Sequence, residues 1–317
     1  MVKLSVIVPC YNEEDVIERF FDAAAAALSS IESYELIFVN DGSRDATLEK
    51  LKKLFQSRKD VCMRILDFSK NFGKEAAMLA GLKAAEGEYV AIIDADLQQR
   101  PEILCQMAGI LDSEPEYDCV AAFQQQRKEN KLIKGIKGLF YKIMNRASSV
   151  ELKDGASDFR MFRRAMVESI VQMPEYHRFS KGIFSWVGFR TKYIPYDVQA
   201  REGGESKWSF RSLFHYAVDG IVSFTTAPLK LATVIGTVMF FVSIVYIAVI
   251  VIEKLFFGIA VAGYASIVAL ILLFGGLQLL CIGIIGEYIA KIYEQVKNRP
   301  VYIIKKEYRR DEEKDAS

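Results

Sequence analysis

Two aspartates that follow a short apolar run are the residues of this sequence best suited to chemistry. Asp94 and Asp96 come after residues 89–93, whose sequence YVAII is typical of a buried strand. Because carboxylates are costly to bury in an apolar core, we expect the strand to end there and to present both acids at its carboxyl edge. Residues two apart point the same way in an extended chain. Two such donors suit Mg²⁺ or Mn²⁺, with the phosphates of a substrate supplying further ligands.

Strand-forming and helix-forming segments alternate along the first third of the chain. The predicted strands cover residues 4–9, 35–39, 62–66 and 89–93, and the predicted helices cover residues 15–29, 45–56 and 74–85. Such an alternation predicts a parallel sheet covered by helices on both faces. Ligands of these sheets bind beyond the carboxyl ends of the strands. The polar residues predicted at those ends are Asn12, Glu13, Asp41, Asp94 and Asp96.

Five short motifs resemble, in this order and spacing, those of the family 2 glycosyltransferases with a GT-A fold. They are residues 6–13 (VIVPCYNE), 39–43 (VNDGS), 94–98 (DADLQ), 158–160 (DFR) and 201–208 (REGGESKW). With two apolar segments after residue 226, the whole chain resembles the polyprenyl-phosphate glycosyltransferases, such as bactoprenol glucosyltransferases and dolichyl-phosphate mannose synthases. The resemblance implies an α/β fold of the GT-A (Rossmann-like) type. It would have a mostly parallel sheet, helices on both faces and a C-terminal two-helix transmembrane hairpin.

The resemblance also implies roles for individual residues of these motifs. The residues that would bind the nucleotide sugar are Pro9, Tyr11, Asn12, Glu13, Asp41, Asp94 and Asp96. The residues that would hold the metal are Asp96, Asp94 and Gln98. The residues that would act in catalysis are Asp158, Arg201 and Lys207.

Two of these acids also have a structural interpretation. For Asp41, the alternative to a contact with the base or ribose is a turn aspartate that caps a helix starting at Asp45. For Asp158, the alternative is the N-cap of a helix over residues 159–169. The resemblance assigns Asp158 as the base, but an acceptor phosphate monoester has a second pKa of about 6 and is largely ionised at neutral pH. We therefore interpret Asp158 as a residue that orients the acceptor or another active-site group.

Two segments with basic residues leave alternatives open. Arg201 and Lys207 flank a Gly-Gly pair, so a mobile loop could bring their charges over a leaving diphosphate. The alternative is a solvated loop attracted to anionic lipid. At the start of the third predicted helix, Gly73 could serve only the turn of the chain, or Lys74 could contact the nucleotide.

Two uncharged stretches, residues 231–252 and 255–286, are each long enough to cross a bilayer as a helix. The predicted domains are a glycosyltransferase domain of residues 1–226, a hairpin of residues 227–290 with spans at about 229–252 and 264–286, and a basic tail of residues 291–317. Two further helices, near residues 132–144 and 209–218, mix apolar and basic residues. This mixture favours the membrane interface over a core-facing helix.

The charged residues and cysteines predict the cellular location of the protein and argue against some classes of partner. Basic residues flank the two spans on the side away from their connecting loop, which predicts a multi-pass protein of the inner (plasma) membrane with its catalytic domain and both termini in the cytoplasm. The 41 Lys and Arg residues nearly balance the 40 Asp and Glu residues, so no bulk affinity for nucleic acid is indicated. Five scattered cysteines without a C-x-x-C pair indicate neither a disulfide framework nor zinc.

The predicted function is inverting transfer of a hexose, glucose from UDP-glucose, to a polyprenyl phosphate such as undecaprenyl phosphate, with Mg²⁺ or Mn²⁺ at the diphosphate. The alternatives are another donor, such as GDP-mannose or a UDP-aminosugar, and a non-catalytic membrane subunit that binds nucleotide sugars. The expected assembly is a homo-oligomer, a tetramer. His177 and His215 have no partner pattern in the sequence, which favours packing or interfacial roles.

Overall fold

One sheet organises the part of the chain that the structure describes. The computed structural model describes residues 2–124, 156–196, 225–257 and 263–310. The strands are β1 Leu4–Cys10, β2 Tyr34–Asn40, β3 Cys62–Phe68, β4 Tyr89–Ile92, β5 Cys119–Gln124, β6 Ala156–Arg163, β7 Thr191–Tyr196 and β8 Ile304–Tyr308. The α-helices are α1 Ile17–Ala27, α2 Thr47–Ser57, α3 Lys74–Ala84, α4 Glu102–Ser113, α5 Arg164–Val171, α6 Ser180–Trp186, α7 Ala227–Phe257 and α8 Tyr264–Val296.

The four strands predicted from the sequence form the centre of this sheet. The order across the sheet is β7-β5-β6-β4-β1-β2-β3-β8. Strand β1 pairs in parallel with β2 and β4, and β2 pairs in parallel with β3. Strand β6 runs antiparallel to β4, and β8 runs antiparallel to β3 at one edge. The predicted mostly parallel α/β sheet is therefore confirmed.

The central strands are buried on both faces, which explains why their sequences are apolar almost throughout. Val6 and Val8 of β1 pack in the same core as Phe20 of α1. Ile7, which points to the other face, packs in the core that contains α3. Helix α3 lies so close to β1 that a Cβ atom at Gly81 would collide with Ile7. This packing places the start of α3 at the carboxyl edge of the parallel strands.

Strand β4 is shorter than the sequence predicts. It ends at Ile92, and Ala95 and Asp96 lie in a turn next to Leu97, which has a φ of +57°. The prediction that the chain stays extended through Asp96 is therefore wrong, so the period of a strand does not decide where these two side chains point. The N–H of Ile93 still donates to Ile7 of β1, whereas the N–H of Asp94 donates to the side chain of Gln99 within the turn.

Asp158 lies within a strand rather than in front of a helix. Strand β6 covers Ala156–Arg163, and the next helix begins only at Arg164. The alternative of a helix N-cap at Asp158 is therefore wrong. Aromatic Phe159 and Phe162 are fully buried, as expected for a strand that packs between two neighbours.

The segment after the second long helix returns to the sheet. Strand β8 pairs with β3, and Tyr302 just before it stacks on Phe68 with the ring centroids 5.2 Å apart. The prediction of no more than a basic tail over residues 291–317 is corrected by this pairing. The five residues of β8, IKKEY, are too polar to be recognised as a strand by their pattern. Because β8 follows α8, this pairing attaches the C-terminal end of the helical pair to the sheet.

Buried Arg64 links this C-terminal strand to the rest of the sheet. Its guanidinium lies 2.7 Å from Glu307 of β8, 3.2 Å from Glu86 and 3.8 Å from Glu35. The side chain of Arg64 is 8% exposed and that of Glu35 is 2% exposed. Arg64 and Glu35 therefore lie largely away from water, whereas Glu86 and Glu307 are partly exposed.

Arg64→Met is expected to destabilise the fold strongly. The change leaves Glu35 buried without its cation, and removing one member of a buried ion pair typically costs about 3–5 kcal/mol. Arg58→Met is the matched control, because Arg58 pairs with Asp22 and Asp60 at the surface. Such surface pairs contribute about 1 kcal/mol or less. Thermal unfolding of the full chain in detergent compares the two, and equal shifts in Tm would contradict the expectation.

Helices α7 and α8 carry the features of membrane spans. The segments Ala227–Glu253 and Leu273–Val296 are long and apolar enough to cross a membrane, and neither is buried inside the protein. Helix α8 starts at the predicted residue, Tyr264, but continues to Val296 rather than ending near residue 286. The two helices contact each other. Exposed apolar helices of this length indicate association with a membrane.

Candidate active site

The loops that follow β1 and β2 meet at the carboxyl edge of the sheet. Asn12 has a φ of +55°, and its backbone N–H donates to the Ser43 hydroxyl at 3.0 Å. Pro9, Tyr11 and Glu13 are half-buried beside it. The residues predicted to bind the nucleotide at the end of β1 therefore lie against the loop after β2.

The carboxylate of Asp41, directly after β2, holds the loop that precedes α3. Asp41 is 3% exposed, and its oxygens accept the backbone N–H groups of Phe72 at 2.6 Å and Gly73 at 2.9 Å. Burial raises the pKa of Asp41, and these two bonds offset part of that rise. The alternative in which Asp41 caps α2 is wrong, because Asp45 instead accepts the N–H of Thr47, where that helix begins. Contact between Asp41 and a nucleotide stays a prediction.

Two glycines allow this loop to place a lysine at the site. Gly73 has a φ of +94°, which side chains rarely adopt, and α3 begins at the next residue, Lys74. Gly42 has a φ of +63°, and a Cβ atom there would collide with the backbone of Lys70 and Asn71. The turn predicted at Gly73 is therefore confirmed.

The ammonium group of Lys74 bridges two carboxylates from neighbouring strands. Its Nζ lies 2.6 Å from Asp94 Oδ1 and 3.1 Å from Asp158 Oδ2. The antiparallel pairing of β4 with β6 explains this arrangement, because Ile92 pairs with Arg160 and the chain just before Arg160 runs beside the chain just after Ile92. The sheet thus brings the first acid of the DADLQ motif and the acid of the DFR motif to one cation.

Gln99 connects the same two strand ends a second time. Its side-chain oxygen accepts the backbone N–H of Asp94 at 3.1 Å, and its Nε2 donates to Asp94 Oδ2 at 3.3 Å and to the Ser157 hydroxyl at 3.4 Å. Asp96 Oδ1 accepts the backbone N–H of Gln98 at 3.1 Å. Gln99 is therefore the residue whose side chain holds Asp94 in place. A metal contact by Gln98 stays a prediction.

The charges around Asp158 decide which protonation state it adopts. Burial by itself would raise the pKa of Asp158, but the nearby charges of Lys74, Lys181 and Arg160 outweigh it and hold that pKa well below its usual range. Burial would lower the pKa of Lys74, yet Asp94 and Asp158 raise it above its usual value. Both groups are therefore charged at neutral pH, and a carboxylate of such low basicity is a poor proton acceptor.

Glu75, the neighbour of Lys74 on α3, titrates near neutral pH. Burial and the charge of Asp158 raise the pKa of Glu75 to about 7, against the hydrogen bonds from Ser180 that lower it. The backbone N–H of Ser180 donates to Glu75 Oε2 at 3.0 Å, and the Ser180 hydroxyl contacts the same oxygen. Helix α6 is thereby attached to α3 beside the site.

The two acids after β4 are suited to bind a divalent cation whose other ligands come from a diphosphate. Asp94 and Asp96 are half-buried, and their oxygens are the hard donors that Mg²⁺ and Mn²⁺ prefer. In the part of the chain that the structure describes, no three His, Cys, Asp or Glu side chains come together as a metal site. Mg²⁺ is commonly held by one or two carboxylates together with substrate phosphates, so two aspartates are compatible with such a site.

Some predicted residues lie outside the described residues, and some described contacts are not predicted by the sequence. Those outside are Arg201, Lys207, His215 and the helices predicted near residues 132–144 and 209–218. His177 is described, and its ring contacts Glu294 near the end of α8. The contacts of Gln99 and Glu75 could not be predicted from the sequence, because polar residues next to a motif are common and most have no special role.

Comparison with known proteins identifies the family. A family model described as glycosyl transferase family 2 matches residues 5–171, which include Asp41, Lys74, Asp94 and Asp158. A second model, described as the GtrB C-terminal hairpin, matches residues 227–292, which cover α7 and most of α8. The chain belongs to the family 2 glycosyltransferases and carries the C-terminal hairpin of the GtrB type, so the predicted family and enzyme class are confirmed.

Relatives align with nearly the whole chain. The putative glycosyltransferase CsbB of Bacillus subtilis is 42% identical over 95% of this chain and 91% of its own length. The SfII prophage-derived bactoprenol glucosyl transferase of Shigella flexneri is 40% identical over 97% of this chain and 99% of its own length. Among solved structures, the mannosyltransferase PcManGT from Pyrobaculum calidifontis, in complex with GDP-Man and Mn²⁺, is 20% identical with a TM-score of 0.45 over 61% of this chain and 55% of that chain.

Proposed function

We propose that this glycosyltransferase transfers glucose from UDP-glucose to a polyprenyl phosphate, undecaprenyl phosphate, with inversion at the anomeric carbon. The observation that carries the proposal is the Lys74 bridge, because it joins an acid of the metal motif to an acid on the acceptor side. The choice of sugar and acceptor is supported by relatives named bactoprenol glucosyl transferases, which match this chain through the helical hairpin.

The reaction is a single displacement at the carboxyl edge of the sheet. The nucleotide sugar would contact residues at the ends of β1 and β2, namely Pro9, Tyr11, Asn12, Glu13 and Asp41. A bound Mg²⁺ or Mn²⁺ at Asp96 and Asp94 would neutralise the diphosphate that leaves. An oxygen of the acceptor phosphate attacks the anomeric carbon from the opposite face, and the bond between that carbon and the diphosphate oxygen breaks. A dianionic acceptor has no proton to lose in this step.

Asp158 orients the acceptor side of the site in this proposal. Its contact with Lys74 and its low basicity support a charge that positions other groups rather than one that removes a proton. Gln99 holds the backbone of Asp94 and reaches Ser157, the neighbour of Asp158. These side chains would therefore hold the donor and the acceptor at a fixed distance and orientation to each other.

The helical hairpin would place the site where an insoluble lipid phosphate can reach it. We propose a multi-pass protein of the inner membrane with the sheet domain in the cytoplasm. The pairing of β8 with β3 attaches the end of α8 to the sheet, and the Tyr288 hydroxyl of α8 donates to the carbonyl of Thr225 just before α7 at 2.7 Å. These two contacts support a hairpin that crosses and returns. The basic residues that flank the hairpin, among them Lys291, Lys297 and Arg299, support the cytoplasmic side for that domain.

The direct test uses the purified full chain in detergent with polyprenyl phosphate and a panel of radiolabelled nucleotide sugars. We expect label from UDP-glucose to pass to the lipid when Mg²⁺ or Mn²⁺ is present. Transfer from GDP-mannose or a UDP-aminosugar instead would show that the donor is wrong. If the chain binds nucleotide but transfers sugar from none of the donors, the proposal is refuted and the protein is a non-catalytic subunit that binds nucleotide sugars.

Lys207→Ala and Arg201→Ala are each expected to lower kcat by about 10²-fold while weakening donor binding much less. Both residues lie in the segment REGGESKW, where a glycine-flanked loop would bring their charge to the diphosphate as it leaves. Turnover rates and donor titrations of each variant make the comparison, with the exposed Lys59→Ala as control. Loss of donor binding with an unchanged kcat would make these residues ground-state contacts only.

A further inference from the structure

Lys74 contacts both acids of the proposed site but has no role of its own in the reaction described above. Its side chain is 41% exposed, so a bound ligand can reach it. Its Nζ contacts Asp94 on the donor side and Asp158 on the acceptor side, at 2.6 and 3.1 Å. An ammonium group at these distances makes a charge-assisted hydrogen bond to each carboxylate.

A divalent cation at the DADLQ motif would meet this ammonium group. Metal binding needs carboxylate oxygens that are ionised, and Asp94 already gives one of its oxygens to Lys74. Two cations beside one carboxylate repel each other. Lys74 has a second partner in Asp158, so it can give up Asp94 without being left unpaired.

We infer that Lys74 competes with the divalent cation for Asp94 and, once that cation binds, directs its charge to Asp158 and the acceptor phosphate. Lys74 is thus a positioning residue that links the two halves of the site. This inference rests on the proposed function, because it needs a metal at Asp94 and a phosphate acceptor near Asp158. By linkage, loss of Lys74 tightens metal binding and weakens acceptor binding.

The test measures Mn²⁺ binding by the full chain in detergent, with Mn²⁺ alone and with UDP added, by the EPR signal of free Mn²⁺. Lys74→Met is expected to lower the Kd for Mn²⁺ by about 10-fold or more, because it removes a positive charge next to a ligand. The same variant is expected to raise the KM for polyprenyl phosphate and to lower kcat. Lys83→Met is the matched control, since Lys83 is exposed in the last turn of the same helix and should leave all three quantities unchanged.

Lys74→Arg, which retains the charge, is expected to keep the wild-type affinity for Mn²⁺ and guards against an effect of misfolding. A misfolded Lys74→Met chain would bind Mn²⁺ more weakly, so tighter binding cannot arise from damage to the fold. Unchanged or weaker Mn²⁺ binding by a folded Lys74→Met chain would overturn the competition and leave the proposed metal intact. A wild-type chain that binds no Mn²⁺ with or without UDP would instead refute the proposed metal, and this inference with it.

Discussion

Asp96→Ala is expected to lower sugar transfer by on the order of 10³-fold, because in the proposed reaction Asp96 is an anionic ligand of a cation that would stabilise the leaving diphosphate. Asp96 lies in the turn after β4, half-buried, with one oxygen accepting the N–H of Gln98. Asp96→Asn keeps the shape but loses the charge, so we expect it to retain little activity. The measurement is the initial rate of transfer to polyprenyl phosphate over a range of Mg²⁺ and Mn²⁺ concentrations.

The control for Asp96 is Asp60→Ala, which removes an exposed acid that pairs with Arg58 at the surface. It should keep the wild-type rate and the wild-type metal dependence. Full turnover by Asp96→Ala, or by the wild-type chain in excess chelator, would show that the reaction needs no metal at this position.

Asp158→Asn is expected to lower kcat by about 10²- to 10³-fold, with a loss that persists on the alkaline side of neutral pH. The acceptor phosphate loses its last proton with a pKa of about 6, so at higher pH a base would have nothing left to remove. If Asp158 orients Lys74 and the acceptor instead, its charge is needed at every pH. The structure favours this second role, because three cations hold the pKa of Asp158 well below its usual range.

The measurement for Asp158 is a pH–rate profile of both proteins at saturating donor. Asp118→Asn is the control, because that carboxylate accepts the N–H of Arg190 next to the start of β5, away from the carboxyl edge of the parallel strands. Recovery of Asp158→Asn to the wild-type rate above neutral pH would restore the simple base assignment.

The sequence by itself determined the elements of the fold that have a local cause. The first four strands are buried on both faces, so each appears as an apolar run, and the carboxyl ends of parallel strands meet at one edge. This was enough to predict that Asn12, Asp41 and Asp94 lie at one edge of a sheet. Long uncharged runs predicted α7 and α8 for the equally local reason that a bilayer requires about 20 apolar residues in succession.

Only the tertiary structure decided which of these residues touch. The contact of Lys74 with Asp94 and Asp158 depends on β6 running antiparallel beside β4, and no local pattern encodes that pairing across the intervening chain. The polar strand β8 likewise forms because the edge of β3 offers hydrogen-bond partners and Arg64 offers a charge for Glu307. Strand pairing satisfies the backbone whatever the side chains are, so the sequence carries little trace of it. The sequence therefore determines which residue types form the site. The order of strands in the sheet determines that Lys74 contacts both Asp94 and Asp158.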